Sequence, residues 1–265
     1  MISKKFSKDD IFKYGGLHDL ERTLNDETLG FSNLVDYNDP FESEYSTYLF
    51  IKDLEKRANF MRFDVTQKNE PEIWKSYDQI KNWITDHLSS QRVTCFSKSP
   101  IEPLMWAHYA DKHKGVCYCF DKDVYGNEYA SGEVIYSSHL PKLQLLYGSS
   151  TSSDVERQLE NIILTKSKPW SYEQEFRFYT SLDKQSHRFD SKSLKYVILG
   201  MRSSDDFSFV SPVVSEFNKR NGTNVRILHA NMASDRYEME INSGTTERFA
   251  IHCPKPKEML KTEFW

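Results

Sequence analysis

Cysteine is scarce in this sequence of 265 residues, which contains Cys95, Cys117, Cys119 and Cys253. Four cysteines at irregular spacing form no disulfide framework, and we expect reduced, buried thiols of the kind found in cytosolic proteins. No run approaches 18 apolar residues, and the N-terminal residues 1–10 contain no apolar segment. These absences predict a cytoplasmic protein that has neither a signal peptide nor a membrane-spanning helix.

Charge of one sign is not concentrated anywhere along the chain. The net charge is -4, and lysines and arginines are spread over the whole length. This distribution excludes a dedicated DNA-binding module, although it leaves local contact with nucleic acid open. The sequence also lacks internal repeats and Pro- or Gly-rich linkers, so we predict a single domain over residues 1–265.

Aromatic residues are abundant, at 14% of the sequence. We expect a core built around rings, some of which line a pocket. Hydrophobic periodicity predicts helices at residues 18–27, 71–88, 101–111 and 205–221, and another that follows a capping-box pattern at Ser153 and Glu156. It predicts strands at residues 10–14, 92–97, 115–120, 133–136, 175–180, 194–199, 225–230, 237–241 and 248–252, and a loop at 147–154. The irregular mixture predicts an α+β fold with a mixed, mostly antiparallel sheet flanked by helices.

The first segment that could carry chemistry begins in the strand at residues 10–14. Lys13 and Tyr14 end that strand, and Gly15 and Gly16 would let the backbone approach a ligand closely. The alternative is a plain strand–loop–helix connection with a solvated Lys13. Downstream, residues 38–42 have turn chemistry, and their polar side chains could serve only to fix the loop.

The second segment, residues 93–120, places several polar and aromatic side chains between two strands. His108 and Asp111 are three residues apart on a predicted helix, so the carboxylate could set the tautomer of the imidazole. The segment has no HExxH or CxxC pattern, and we expect no metal there. The alternative is a packing cluster of Trp106 and Tyr109.

The third segment, residues 168–179, contains two glutamates in a predicted strand. Alternation places Glu173, Glu175 and Arg177 on one face of that strand. Two neighbouring carboxylates repel each other unless a cation lies between them, which Arg177 or a cationic substrate would provide. The alternative is an exposed face with ordinary cross-strand ion pairs.

These segments resemble a bacterial family known as domain of unknown function 2971. The matching stretches are FKY at 12–14, FSN at 31–33, YNDPFE at 37–42, VTCFS at 93–97, MWAHYADKHKGVC at 105–117, WSYEQEFR at 170–177 and VILG at 197–200. They occur in the expected order over most of the chain. Membership of this family implies no particular activity.

The order of the same features is also similar to that of ADP-ribosyltransferase folds, which have a split sheet. Lys13 stands where those folds have His or Arg, Ser97 and Ser99 stand in the serine motif, and Glu173 and Glu175 match a Glu-x-Glu pattern. This resemblance implies an enzyme that uses NAD as its substrate and transfers ADP-ribose to a protein or a nucleic acid. By analogy, such an enzyme could be a bacterial toxin or a phage-defence effector.

The resemblance also implies roles for individual residues. Catalysis would involve Glu175 at the oxocarbenium-like ribose, Glu173 at the acceptor and His108 as a general base. Six residues would bind the nucleotide. Lys13 and Arg177 would contact its phosphates, Ser97 would contact the ribose, and the nicotinamide or adenine ring would stack on Tyr14, Trp106 or Tyr109. Two alternatives stay open, a hydrolase or nuclease that uses His108, Asp111 and the glutamates, and a non-catalytic nucleotide-binding or sensor module.

Overall fold

The computed structural model describes residues 6–46, 81–143, 152–203 and 206–243. The predicted strand at 248–252, the first ten residues of the predicted helix at 71–88, and Cys253 lie outside these ranges. The strands are β1 (Asp10–Gly15), β2 (Thr28–Gly30), β3 (Ser32–Asn33), β4 (Arg92–Ser97), β5 (Val116–Asp121), β6 (Ala130–Glu133), β7 (Ile135–Ser137), β8 (Thr165–Ser167), β9 (Glu175–Thr180), β10 (Ser186–Arg188), β11 (Leu194–Leu199), β12 (Arg226–Met232) and β13 (Met239–Ser243).

Helices are interspersed irregularly among these strands. The described α-helices are Leu20–Asp26, residues 81–90, Pro103–Tyr109, Ser152–Ile163 and Phe207–Asn221. Shorter 3-10 helices occupy Leu17–Asp19, Leu34–Asp36, Asp111–His113, Lys168–Glu173 and Ser191–Ser193. None of the helices in the described ranges is long and apolar enough to cross a membrane.

The main sheet has the strand order β13-β12-β11-β5-β1-β4-β9-β6, and β3 pairs with β4. Its pairs are antiparallel except for β11 and β12, which run parallel. Two small sheets, β10 with β2 and β7 with β8, complete the described strands. The predicted α+β class with a mixed, mostly antiparallel sheet is therefore confirmed.

Strand β5 lies between β11 and β1 in this sheet and is buried on both faces. Its alternate residues Val116, Tyr118 and Phe120 belong to one hydrophobic cluster, while Cys117 and Cys119 belong to another on the opposite face. The period of two along a strand dictates this division, as the sequence predicted. Both cysteines are free thiols, as is Cys95.

Two local predictions were wrong. The strand predicted at 133–136 is divided at Val134. The N–H of Val134 still donates to the carbonyl of Glu175, where β9 begins, and from Ile135 onward the chain pairs with β8. The predicted loop at 147–154 overlaps the helix Ser152–Ile163 at residues 152–154, while its residues 147–151 lie outside the described ranges. Its serines suggested a loop, but Leu159, Ile162 and Ile163 are buried at helical spacing.

The helix Phe207–Asn221 packs through one apolar stripe. Val210, Val214 and Phe217 recur every three to four residues and are buried. The helix ends at Gly222, whose φ of 63° lies in the left-handed region that favours glycine. The structure confirms both the predicted helix and its predicted stop.

We expect Phe217→Ala to lower the free energy of unfolding by about 3–5 kcal/mol, because it removes a ring that is 1% exposed from the main core. Phe209→Ala in the same helix is the matched control, since that ring is 46% exposed and its loss should change stability by about 0.5 kcal/mol or less. Denaturant titration measures both values. Equal losses would contradict the assignment of the buried stripe.

Candidate functional site

Three neighbouring strands bring together segments that are remote in sequence. Strand β4 lies between β1 and β9, and its last residue, Ser97, is opposite Phe12 on one side and Glu175 on the other. Lys13 follows Phe12 in β1. The three segments singled out by the sequence therefore meet at one end of β4.

A cavity of about 220 Å³ opens at this place. Six of the nine predicted site residues line it, namely Lys13, Tyr14, Ser97, Tyr109, Glu173 and Glu175. Trp106, His108 and Arg177 do not line it, and neither do Gly15 and Gly16. Further lining residues come from the segment 36–38 and from Lys166 in β8.

Lys166 bridges the two glutamates of the cavity. Its Nζ lies 2.5 Å from an oxygen of Glu173 and 2.5 Å from an oxygen of Glu175. The same nitrogen is 3.4 Å from Glu42 and 5.0 Å from the centroid of the Trp170 ring. All three carboxylates are buried, so the ammonium replaces the water that would otherwise solvate them.

Arg177 is the second cation of this cluster and is fully buried. Its Nε donates to Glu175 at 2.7 Å, its Nη2 donates to Glu42 at 2.7 Å, and its Nη1 donates to Glu42 and to the carbonyl of Ile163. The guanidinium therefore lies behind the cavity wall. The predicted contact of Arg177 with phosphate does not fit this position, because four of its five N–H groups donate to protein acceptors.

Glu42, Glu173, Glu175, Lys166 and Arg177 form what we call the buried charge cluster. It contains three carboxylates and two cations, so one carboxylate lacks a full counter-charge. Burial, together with the adjacent Glu175, raises the pKa of Glu173 to about 7, although Lys166 opposes the rise. Burial alone would also raise the pKa of Glu175, but Arg177 and Lys166 hold it well below its usual value. The cluster is thus close to neutral when Glu173 carries a proton.

Glu173 and Glu175 lie in two different backbone elements. Glu173 is the last residue of the 3-10 helix Lys168–Glu173, and β9 begins only at Glu175. Gln174 between them has a φ of 47°, which turns the chain so that both carboxylates reach Lys166. The prediction that Glu173 lies in the strand was wrong, although both glutamates do contact the same cation.

Tyr109 completes the environment of Glu173. It ends the helix Pro103–Tyr109, which Glu102 caps by accepting a hydrogen bond from the backbone of Leu104. The hydroxyl of Tyr109 donates to Glu173 at 2.6 Å. Burial and this hydrogen bond raise the pKa of Tyr109, so its phenol stays protonated and remains a donor.

Lys13 has a different environment from Lys166. Its Nζ donates to the hydroxyl of Thr94 at 2.9 Å and to the carbonyl of Cys95 at 3.0 Å. Among the described residues, no carboxylate forms an ion pair with it. Burial lowers the pKa of Lys13, and the more distant Cys95 thiol and Glu175 carboxylate only partly oppose this.

Ser97, Tyr14 and Trp106 hold the turn that follows β4. The Ser97 hydroxyl and the Ser99 backbone exchange hydrogen bonds, and the Tyr14 hydroxyl donates to the Ser99 carbonyl at 2.7 Å. Trp106 is fully buried, donates to the Pro100 carbonyl and meets Tyr14 edge to face. The predicted stacking of Trp106 on a ligand does not fit, and for this residue the alternative of a packing cluster does.

His108 is exposed and lies outside the cavity, with its ring 6.2 Å from that of Tyr109. The predicted pairing with Asp111 on a helix face is wrong, because the helix ends at Tyr109 and Asp111 has a φ of 44°. No set of three His, Cys, Asp or Glu side chains suited to a metal ion is found within the described ranges.

Two residues of the buried charge cluster carried little signal in the sequence. Glu42 belongs to the turn at 38–42, where Asp39 accepts hydrogen bonds from the Phe41 backbone and from Ser167. That turn is fixed to β8, and this brings Glu42 to Arg177. Lys166 follows the apolar residues 162–164 after one threonine, and its position in such a sequence was the available hint of burial.

Comparison with protein families finds one match. Residues 105–178 match the model described as protein of unknown function (DUF2971), a span that contains Tyr109, Lys166, Glu173, Glu175 and Arg177. Comparisons with curated proteins and with solved structures find no match. The family match thus covers most of the helix Pro103–Tyr109 and most of the buried charge cluster.

We expect Arg177→Met to lower the free energy of unfolding by about 3–5 kcal/mol, because Lys166 is then the one cation that the described residues offer to three buried carboxylates. The matched control is Arg188→Met, which breaks an ion pair to Glu27 whose arginine side chain is 75% exposed. That loss should be at most about 1 kcal/mol. Denaturant titration at pH 7 would contradict the role of Arg177 if both variants lost the same stability.

Because Glu173 binds its proton more tightly in the folded state, its contribution to stability is full below pH 4.5 and is lost as pH rises to about 7. The difference in unfolding free energy between the wild type and Glu173→Gln should therefore change with pH. It should fall by roughly 3 kcal/mol, in favour of the variant, between pH 4.5 and pH 7. The exposed Glu128→Gln should run parallel to the wild type. A Glu173→Gln curve parallel to the wild type would contradict the raised pKa.

Proposed function

We propose that this chain, whose residues 105–178 match the DUF2971 family, is an ADP-ribosyltransferase-like enzyme that cleaves the nicotinamide–ribose bond of NAD. The observation that carries the proposal is the pair Glu173 and Glu175, two carboxylates in one cavity whose pKa values are driven apart. When the pKa values of two neighbouring carboxyl groups differ in this way, one group stays ionised and the other can exchange a proton, and enzymes use such pairs for two different roles.

Glu175 has the properties required at the reacting ribose. Cleavage of the bond to nicotinamide passes through a transition state that resembles an oxocarbenium ion, and nicotinamide leaves as a neutral molecule. The step therefore needs a fixed anion and no general acid at the leaving group. Arg177 and Lys166 keep Glu175 ionised and hold its two oxygens in place, so its charge needs no reorganisation.

Glu173 has the properties of an acid–base group for the acceptor. A pKa of about 7 allows a carboxylate to take up a proton at neutral pH and to release it again. Tyr109 donates to one oxygen of Glu173 and fixes its orientation. In this proposal Glu173 accepts the proton of the attacking hydroxyl, amine or water, and His108 has no part because it is outside the cavity.

The arrangement of strands supports the same proposal. The segments with Lys13, Ser97 and Glu175 occupy the adjacent strands β1, β4 and β9, in keeping with the feature order shared with ADP-ribosyltransferase folds. The cavity of about 220 Å³ is smaller than the roughly 300–1,000 Å³ of pockets for drug-sized ligands. It would therefore hold the nicotinamide riboside end of NAD, and the remainder would lie at its mouth.

A second candidate is a non-catalytic nucleotide-binding or sensor module. The observation that favours it is the double engagement of Lys166, which already satisfies one oxygen of each glutamate. A module of this kind would keep the scaffold and bind a nucleotide without turnover. A cytoplasmic location and a role as a toxin or phage-defence effector belong to the proposal by analogy alone.

The test is incubation of the purified protein with labelled NAD and a cell lysate, alongside its Glu175→Gln variant. We expect the variant to transfer label and release nicotinamide at least about 100-fold more slowly, because it loses the anion at the developing cation. Glu128→Gln, an exposed glutamate, is the matched control and should keep full activity.

Equal labelling by the wild type and Glu175→Gln would reject the catalytic role of Glu175. Thermal unfolding with NAD or ADP-ribose separates the two candidates. An increase in Tm with either nucleotide, without nicotinamide release by the wild type, would identify the binding module.

A further inference from the structure

Lys13 is an amine that borders the cavity and has no carboxylate partner among the described residues. It contrasts with Lys166 in the same cavity, which contacts three carboxylates. Lys13 is partly buried, and an ammonium without a counter-ion is costly there, because the surroundings solvate charge poorly. This environment therefore increases the neutral fraction of the amine.

The hydrogen bonds of Nζ match a neutral amine. Such a group has two hydrogens and one lone pair, and Nζ has two protein acceptors, the Thr94 hydroxyl and the Cys95 carbonyl. Both hydrogens are thereby used. The remaining tetrahedral position of Nζ has no hydrogen-bond partner in the described protein, and the space that Lys13 borders is the cavity.

The groups around Lys13 oppose this preference only weakly. The Phe96 ring centroid is 5.7 Å from Nζ, near the outer limit of about 6 Å for a useful cation–π contact. Both oxygens of Glu175 are engaged by Lys166 and Arg177. Burial has the largest effect on the pKa of Lys13 and lowers it.

We propose that Lys13 is a nucleophilic lysine that forms a Schiff base with a small aldehyde bound in the cavity. The lone pair of Nζ attacks the carbonyl carbon, the C=O π electrons move to the oxygen, and a proton moves from the nitrogen to that oxygen to give a carbinolamine. The nitrogen lone pair then expels the hydroxyl as water, with the second proton of the nitrogen completing the balance, and this gives the imine. Tyr109 and Glu173 line the same cavity and are the groups available to move the proton.

This reaction does not depend on the cleavage of NAD. It needs a neutral amine, a cavity and an aldehyde, and it uses no charge on Glu175. An aldehyde would compete with the nicotinamide riboside end of NAD for the same space. Failure of either activity would therefore leave the other testable.

The experiment treats the full-length protein at pH 7 with glycolaldehyde and sodium cyanoborohydride, which reduces the imine to a stable secondary amine. Peptide mass spectrometry then gives the initial rate of modification at each lysine. We expect Lys13 to react at least about 10-fold faster than the exposed Lys142 and Lys184, since each unit of lowered pKa increases the neutral fraction about tenfold. Near pH 10 this ratio should fall, because burial then gives a neutral amine less of an advantage in reactivity.

Lys13→Arg is the matched variant, because it keeps a long basic side chain that does not form an imine. It should lose the modification at position 13 and leave the rates at Lys142 and Lys184 unchanged, with folding verified by its Tm. Reaction of Lys13 at or below the rate of the exposed lysines would overturn the proposal. A ratio that stays the same from pH 7 to pH 10 would also overturn it, because it would exclude a neutral amine at pH 7.

Discussion

The burial of three carboxylates with two cations is the constraint on which the rest of this structure depends. Charges removed from water are tolerated only when their partners are close and their hydrogen bonds are satisfied. The buried charge cluster meets this requirement with side chains from four separate parts of the chain, namely those of Glu42, Lys166, Glu173, Glu175 and Arg177. The turn at 38–42, strand β8, the 3-10 helix Lys168–Glu173 and strand β9 must therefore pack together for the cluster to form.

The same constraint creates chemical differences between otherwise identical side chains. Two cations cannot neutralise three carboxylates, and the deficit falls on Glu173 because Arg177 contacts Glu42 and Glu175 but not Glu173. Among the two lysines of the cavity, Lys166 is fixed as a cation by its acidic neighbours, while Lys13 has only neutral acceptors. One cavity thus contains a permanent anion, a carboxyl group that titrates near neutrality, a permanent cation and an amine that burial makes less basic.

The sequence was informative wherever a regular pattern carried the information. The alternation in β5 predicted which side chains share a face, and the apolar stripe and terminal glycine predicted the helix Phe207–Asn221. It failed where the backbone left regular geometry. Gln174 adopts a left-handed conformation and separates Glu173 from β9, although periodicity had placed Glu173 in the strand. Asp111 also adopts a left-handed conformation, after the helix has ended at Tyr109, although periodicity had placed Asp111 on the helix. Arg177 was predicted on the correct strand face, but its partner Glu42 comes from a turn far away in the chain.

By itself, the sequence determined the α+β class and the main strands, because local periodicity suffices for these. The six side chains that line the cavity were named from a resemblance in the order of motifs. Tertiary structure alone decided which charges meet. Lys166 and Glu42 become partners of Glu175 and Arg177 only after β4, β8, β9 and the turn at 38–42 have packed. The physical reason is that ion pairing and burial depend on distances in space, and distances between remote segments are not encoded in any local pattern of the chain.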